Sequence, residues 1–563
     1  MDNFFKRYKI IIIIIVMAFI FVPSANFAAI SGDFEYEVNG VVGTIIVAYN
    51  GSEENISIPS EIDGSMVKGI GYKAFRENST IKNVKIPDGV TFISAYAFSH
   101  CKELVSIDLP NSVVDIKERA FEYCSALEDI KIPSGVNIIA NNTFDNCSSI
   151  KKITIPGKVF LINKFAFRNC VSLEELIIEE GTTTIGESAF RDCVRLKKAV
   201  LPKSLEHIDS FAFASCMSLE DVDLPKDLRS LKDFCFSGCN SIKKVIIPAK
   251  IEILGASVFA YCKSLESIVI EDGIIRIGPK VFQNCTGLKT VSIPLSVREI
   301  SASAFYGCIN LKEVIIPDSV TMLGKEVFSG CMNLESVRLP SSIKTIPDSF
   351  FINCVRLSDV VIPDGVKTIG SKAFLGCSSL TSVTIPNSTT DIKSQAFEGC
   401  RNITSLSVSG NTVIGNSVFK DSKITHLTIS GVITKDGFNS LTRQYDITNV
   451  IIADDTNIIG AGAFKGFKNV MDIVLPDTVT YIGAGAFEGA EDLREIVIPR
   501  NVTYIGAYAF YECFNLEKIT IPDSVLYMGD HIFYGCDDVI IHAEKGSLAA
   551  EYAKEYDIRV VYH

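Results

Sequence analysis

The sequence predicts an α/β repeat solenoid: one long parallel sheet, short helical or irregular convex corners, and a cap at either end. Three regularities carry that reading. A Phe recurs every 23 residues from Phe75 to Phe397, a Cys follows most of these Phe residues at a distance of three, and an apolar-alternating run closing in Pro separates the copies. A fixed period of this length means that each unit is one supersecondary element, able to bury its apolar face only against its neighbours. Residues 363–386, PDGVKTIGSKAFLGCSSLTSVTIP, show the unit in full. A Pro-Asp-Gly turn leads through Ile369-Gly370 to Ala373-Phe374 and Cys377, and then Leu380, Val383 and Ile385 alternate ahead of Pro386.

The period shortens by one residue at Phe419 and again at Leu441, then resumes at Phe464, Phe487, Phe510 and Phe533, for 21 anchors in all. In such an array one core lengthens with each unit, so the 563 residues do not count domains. The Leu-x-x-Val-x-Ile-Pro run is the strand, with alternate residues facing inward, as in Leu104, Ile107 and Leu109 or Leu311, Val314 and Ile316. Pro at its end (Pro87, Pro110, Pro133, Pro317, Pro522) cannot donate to a ladder and stops the strand at one place in every turn. At a strand spacing of ~4.8 Å the array is about 100 Å long.

Residues 1–29 read as a secretory signal peptide. Lys6, Arg7 and Lys9 precede the apolar run Ile10 to Val22, and the small residues Ser24, Ala25, Ala28 and Ala29 follow, placing cleavage near Ala28 or Ala29. The run is short of the ~20 apolar residues a membrane span needs, so the membrane is met only during export. The net charge is −12; the leader carries three cations against Asp2, so the chain without it stands at −14. An acidic surface with no basic stripe excludes nucleic acid as a partner.

Residues 30–72 form the expected N-terminal cap, with strand-like runs at Phe34 to Tyr36 and Thr44 to Tyr49, an imperfect first unit at Ile56 to Pro59, and polarity from Glu53, Glu54 and Asp63. Residues 73–542 hold the regular repeats. Within them 401–455 is irregular: Ser409, Ser430 and Ala453 stand where Pro is expected, and both slips fall there. This marks a local bend or a boundary between two repeat blocks. Residues 543–563 form the second cap, with a short amphipathic helix over Ser547 to Tyr556 and a strand at Ile558 to Val561.

Sixteen of the seventeen cysteines stand three residues after an anchor, and only Cys235 is extra. A residue type tied to one corner of every unit is explained by packing there, as a ladder of buried thiols, since Cβ vectors at equivalent corners run parallel and bridge poorly. His100, His207, His426, His531, His542 and His563 fall in different units and assemble neither a metal site nor a catalytic triad. Gly460-x-Gly462 and Gly483-x-Gly485 are corners of the repeat, not phosphate loops. No cofactor or metal is expected, and no enzymatic activity. The pairs Glu128-Asp129, Lys151-Lys152, Glu174-Glu175, Lys197-Lys198, Glu220-Asp221 and Lys243-Lys244 alternate in sign from unit to unit, which lets copies stack without repulsion.

The strand followed by Ile-Gly-x-x-Ala-Phe-x-x-Cys at this period resembles the BspA-like, or Treponema pallidum type, leucine-rich repeats, over about Ile56 to Cys536. The resemblance implies a secreted or surface-exposed protein of the binding class, several relatives being adhesive, with no catalytic residues. In such an array the residue between Val and Ile of each strand points out of the concave sheet face. That column reads Ile177, Val200, Asp223, Ile246, Val269, Ser292, Ile315, Arg338 and Val361, then Ile451, Val474 and Val497. Its apolar members reflect either β-propensity or a docking strip. The candidate contact residues are Ile177, Val200, Ile246, Val269, Ile315 and Val361. Two functions follow: an extracellular solenoid that binds a protein or glycan on a cell surface or matrix, or an envelope protein that associates with itself.

Overall fold

The computed structural model describes residues 28–433 and 447–563. The leader through residue 27 and the anchor position Leu441 lie outside the described residues. The expected sheet is present: Lys152–Ile155 pairs in parallel with Glu175–Ile178, and that strand with Lys198–Val200, each step advancing one period. Alternation does what the pattern requires, Ile153 and Ile155 being buried and Lys152 and Thr154 exposed. A second, narrower ladder runs beside it, built from two-residue strands such as Leu161–Ile162, Thr184–Ile185 and His207–Ile208. Many neighbouring turns are therefore joined by two parallel pairings, although the ladders are broken at intervals, as between Thr290–Ser292 and Glu313–Ile315.

The corners carrying the Phe anchors are runs of turns, not helix. Backbone N–H groups there alternate in destination. Tyr96, Phe98 and His100 donate to Glu118, Ala120 and Glu122 of the next turn at 3.2, 2.8 and 2.7 Å, while Ala97, Ser99 and Cys101 donate three residues back within their own turn. A helix would spend all of these donors internally and leave adjacent turns unjoined. The alternation demands positive φ two residues either side of the anchor, as at Tyr96 (60°) and His100 (63°). That strained region is cheapest for Gly, which holds the second position at Gly238, Gly307, Gly330, Gly376 and Gly399.

Inside the corner the anchor rings stack directly, with centroids from 4.7 Å apart (Phe75 and Phe98) to 6.0 Å (Phe259 and Phe282). All seventeen cysteines are free and buried. Each of the sixteen periodic thiols donates to the carbonyl oxygen of the Phe one turn and three residues earlier, as Cys124 does to Phe98 at 3.1 Å. The Phe98 oxygen also accepts from the Cys101 N–H at 3.1 Å, so a second acceptor site that would otherwise stay empty in the core is filled. Packing alone would admit Ala or Val here; the S–H donor explains Cys. Burial pushes Cys262 and Cys331 up to about 12 from the ordinary 9.0.

The alternating charges face each other across the first ladder. Lys197 meets Glu174 at 2.9 Å, Lys152 meets Glu175 at 2.8 Å, and Lys289 meets Glu266 at 2.7 Å. The carboxyls of Glu174 and Glu175 are held below their usual range, chiefly by hydrogen bonds from Lys197 and Lys152 respectively. Glu174, Lys197 and Lys152 are solvent-exposed and Glu175 half-buried, so these contacts prevent repulsion more than they add stability.

Both caps form. At the N-terminal end Ala29–Ser31, Phe34–Asn39 and Gly43–Tyr49 make an antiparallel meander, and the last of these pairs in parallel with Ser65–Ile70 to start the second ladder. The first ladder starts at Asn55–Ser57 against Asn83–Lys85. At the other end the helix Leu548–Glu555, capped by the Ser547 hydroxyl accepting from the Ala550 N–H, buries Ala549, Ala550, Tyr552 and Ala553. The Tyr552 hydroxyl accepts from the Ile532 N–H at 2.9 Å, satisfying a donor on the last turn. Arg559–Tyr562 then adds a parallel strand to Ile540–Ala543.

In the irregular stretch the role of Pro is visible by its loss. With Ser409 and Ser430 in its place the strands lengthen to five residues, Ser405–Ser409 and His426–Ser430, and pair through to these serines. The first ladder crosses the whole stretch, from Ser382–Thr384 to Asp472–Val474, without interruption. Between Ser405 and His426 the register step is 21 residues. Of the two sequence readings, a boundary between repeat blocks is therefore not supported by the sheet.

Two outcomes test these ladders. In the unfolded chain the thiols deprotonate near pH 9, whereas the native array holds its protons, so their contribution is intact below about pH 9 and is lost as pH rises toward about 12. The urea midpoint should fall steeply through that window, and a bulky thiol reagent should modify none of the cysteines until denaturant is added. Lys197→Glu with Lys198→Glu sets three acidic rungs side by side. The expected loss of thermal stability at low ionic strength should shrink by more than half in about 0.5 M salt, where the Debye length falls to a few ångström; a loss independent of salt would refute the charge-alternation account.

Candidate interaction face

The outward column of the first sheet exposes apolar side chains at one register position over many turns. Its members are in register: Thr154 pairs with Ile177 and Ile177 with Val200, Ile246 with Val269 and Val269 with Ser292, and Ile315 with Arg338. Val200, Ile246, Val269, Ile315 and Val361 are exposed, and Ile177 is half-buried. Beyond the irregular stretch Ile451, Val474 and Val497 continue the column, all exposed. The strip is not continuous. Asp223, Ser292 and Arg338 interrupt it, leaving the pairs Ile177–Val200 and Ile246–Val269 and then Ile315 and Val361 singly. The adjacent outward column, two residues earlier in each strand, carries Glu175, Lys198, Asp221 and Lys244 and later Glu313, Ser336 and Asp359.

Three hollows open beside this column, where the strand end and the turn after Pro overhang the sheet. One of about 550 Å³ lies against Leu295, Ile315 and Arg338, and one of about 510 Å³ against Ile315, Arg338 and Val361. A smaller one of about 260 Å³ involves Asp223, Lys226, Ile246 and Glu271. The candidate residues Ile246, Ile315 and Val361 thus line hollows, whereas Ile177, Val200 and Val269 stand on open sheet. Leu295 escapes the column argument because it sits in the turn, yet the sequence holds a signal for it. The residue after the strand end is Asp88, Asn111, Ser134, Lys203, Lys226, Asp318, Ser341 or Asp364 in other units and a large apolar residue only here.

Other clusters have structural explanations. On the corner edge Tyr72, Tyr96 and Phe165 are covered by cations, Lys73 and Arg168 lying 4.7 and 4.4 Å from the centroids of Tyr72 and Phe165. The buried Asp145 there is satisfied by a two-point contact with Arg168 and by Asn142 and Asn146. Tyr481, Tyr504 and Tyr527 stack at 4.5 Å along the second ladder. Among the described residues no group of three or more His, Cys, Asp or Glu side chains could hold a metal ion, and no helix is long and apolar enough to cross a membrane.

Comparison with solved structures finds several similar chains. A leucine-rich repeat protein of T. pallidum is 28% identical over 35% of this chain and 92% of its own, with a TM-score of 0.33. One from Bacteroides ovatus is 21% identical over 95% and 100%, with a TM-score of 0.29. The pneumococcal vaccine antigen PcpA is 16% identical over 76% and 99%, with a TM-score of 0.33. Comparison with curated proteins gives no match. The sequence profile of the BspA type leucine rich repeat region matches residues 48–171, 161–289, 252–380, 344–471 and 457–543. Those matches run from the strand Gly43–Tyr49 to the strand Ile540–Ala543, and the chain belongs to the BspA-type leucine-rich repeat family.

Proposed function

We propose that this protein is an extracellular, non-catalytic binding solenoid that presents the first sheet to a protein or glycan on a cell surface or matrix. The observation that carries the reading is the column of exposed Val and Ile side chains at the centre of that sheet. β-propensity accounts for Val and Ile in strands, but ordered exposed apolar side chains flanked by charge are the composition of a contact surface. The basic-apolar leader, Lys6 to Ala29, supports export, and membership of a repeat family built for display supports binding over catalysis. A second reading, self-association, draws on the terminal strand Arg559–Tyr562, which pairs on one side only and so offers a free edge.

The purified chain should bind matrix proteins or intact cells, and Ile246→Asp with Val269→Asp should weaken that binding by about tenfold or more, as loss of central apolar contacts does, with unchanged circular dichroism. Full binding by that variant, and by the same change at Ile177 with Val200 and at Ile315 with Val361, would remove the sheet face from consideration. For export, N-terminal sequencing of the protein from native medium should begin near Ala29 or Ile30. An intact Met1 in a cytosolic fraction would overturn it.

A further inference from the structure

The two larger hollows differ from the rest of the face in ways that specify an occupant. They share the walls Glu313, Ile315, Asp318 and Arg338, so they lie side by side along the array. Their apolar walls are among the most exposed aliphatic side chains of the protein, Leu295 at 72%, Ile315 at 63% and Val361 at 74%. Neither hollow is lined by an aromatic ring. Sugar rings are held by stacking on aromatic faces, whereas aliphatic side chains seat in aliphatic hollows.

Charge narrows the choice further. Elsewhere on the first ladder several acids are answered by cations, Glu174 by Lys197, Glu175 by Lys152 and Glu266 by Lys289. Here the alternation lapses. Glu313 and Asp359 are exposed and form no ion pair among the described residues, and their common neighbour on the ladder is Ser336. Asp318 spends one oxygen on the Ser341 N–H and hydroxyl, at 2.7 and 2.9 Å, and meets Arg338 only at 3.4 Å. Three carboxylates thus face one guanidinium around an apolar floor.

We propose that the hollows flanking Arg338 take an extended polypeptide segment whose apolar side chains seat against Leu295, Ile315 and Val361 and whose Lys or Arg side chains meet Glu313 and Asp359. This deepens, and rests on, the reading of the first sheet as a binding face. An extended chain suits the site because its side chains alternate in direction, as required to fill hollows on one side and reach carboxylates on the other. The partner supplies here the cations that the array itself supplies elsewhere.

The full chain, titrated with a fluorescent extended peptide alternating leucine and lysine, should bind it about tenfold or more tightly than the same peptide carrying glutamate for lysine, the preference weakening with salt. Ile315→Asp with Val361→Asp should abolish binding, and Ile253→Asp with Ile275→Asp, at exposed positions off the first sheet, should leave it unchanged. Glu313→Lys with Asp359→Lys should reverse the ranking of the two peptides. Equal affinity for both peptides, an unreversed ranking, or equal loss at Ile253 and Ile275 would overturn the proposal. If the lysine peptide fails while cells or matrix are still captured through Ile246 and Val269, this assignment falls and the binding-face reading stands. If capture survives every change on the sheet, both fall.

Discussion

A chain that stacks on itself in register sets each side chain beside the residue one period away, and nearly everything in this molecule answers to that constraint. Side chains that attract their own kind gain from it: Phe rings stack, and Thr hydroxyls such as Thr503 reach the carbonyl of Thr480 below. Side chains that repel their own kind must vary from turn to turn, and the Lys and Glu rungs do. Backbone follows the same logic. The corner gives half its N–H groups to the next turn, and this forces left-handed residues on both sides of the anchor and makes a helix there impossible.

The thiol ladder shows how tightly composition is bound to that geometry. The buried Phe carbonyl already accepts one N–H, and a small donor from the following turn completes it without adding bulk. Four described corners lack the thiol, with Asn78, Ser422, Phe467 and Ala490 in its place. The Asn78 side chain accepts from the Thr80 and Ile81 N–H groups, Phe467 packs edge-on against Phe464 with centroids 5.5 Å apart, Ala490 is buried, and the Ser422 hydroxyl is buried without a hydrogen-bond partner. Ser422 lies in the stretch where the period itself slips and Phe467 just beyond it, whereas Asn78 and Ala490 stand in regular register.

Period, strand and strand-ending Pro were legible in the sequence because each is a local pattern repeated many times. The second ladder was not, since two residues per turn, Thr184-Ile185 or Tyr504-Ile505, are too few to show an alternation. The corner was open between helix and irregular turn because Ala-Phe-x-x-Cys suits either; the recurrent Gly before Cys, as at Gly376 and Gly399, was the discriminating signal. On the candidate face the column could be read residue by residue. The hollows could not, because each is bounded by three successive turns and by the overhang after Pro, and Leu295 belongs to a different column from Ile315.

The free donors and acceptors at the top of any regular turn match those at the bottom of any other, and the helix Leu548–Glu555 with Tyr552 closes whichever turn happens to be last. Length is therefore a quantity that recombination can change in whole turns, by gain or loss of one coding unit, with neither cap redesigned. A lineage carrying such a gene can lengthen or shorten the array by about 4.8 Å at a step while the hollows around Arg338 keep their shape. Length and recognition can then be selected separately.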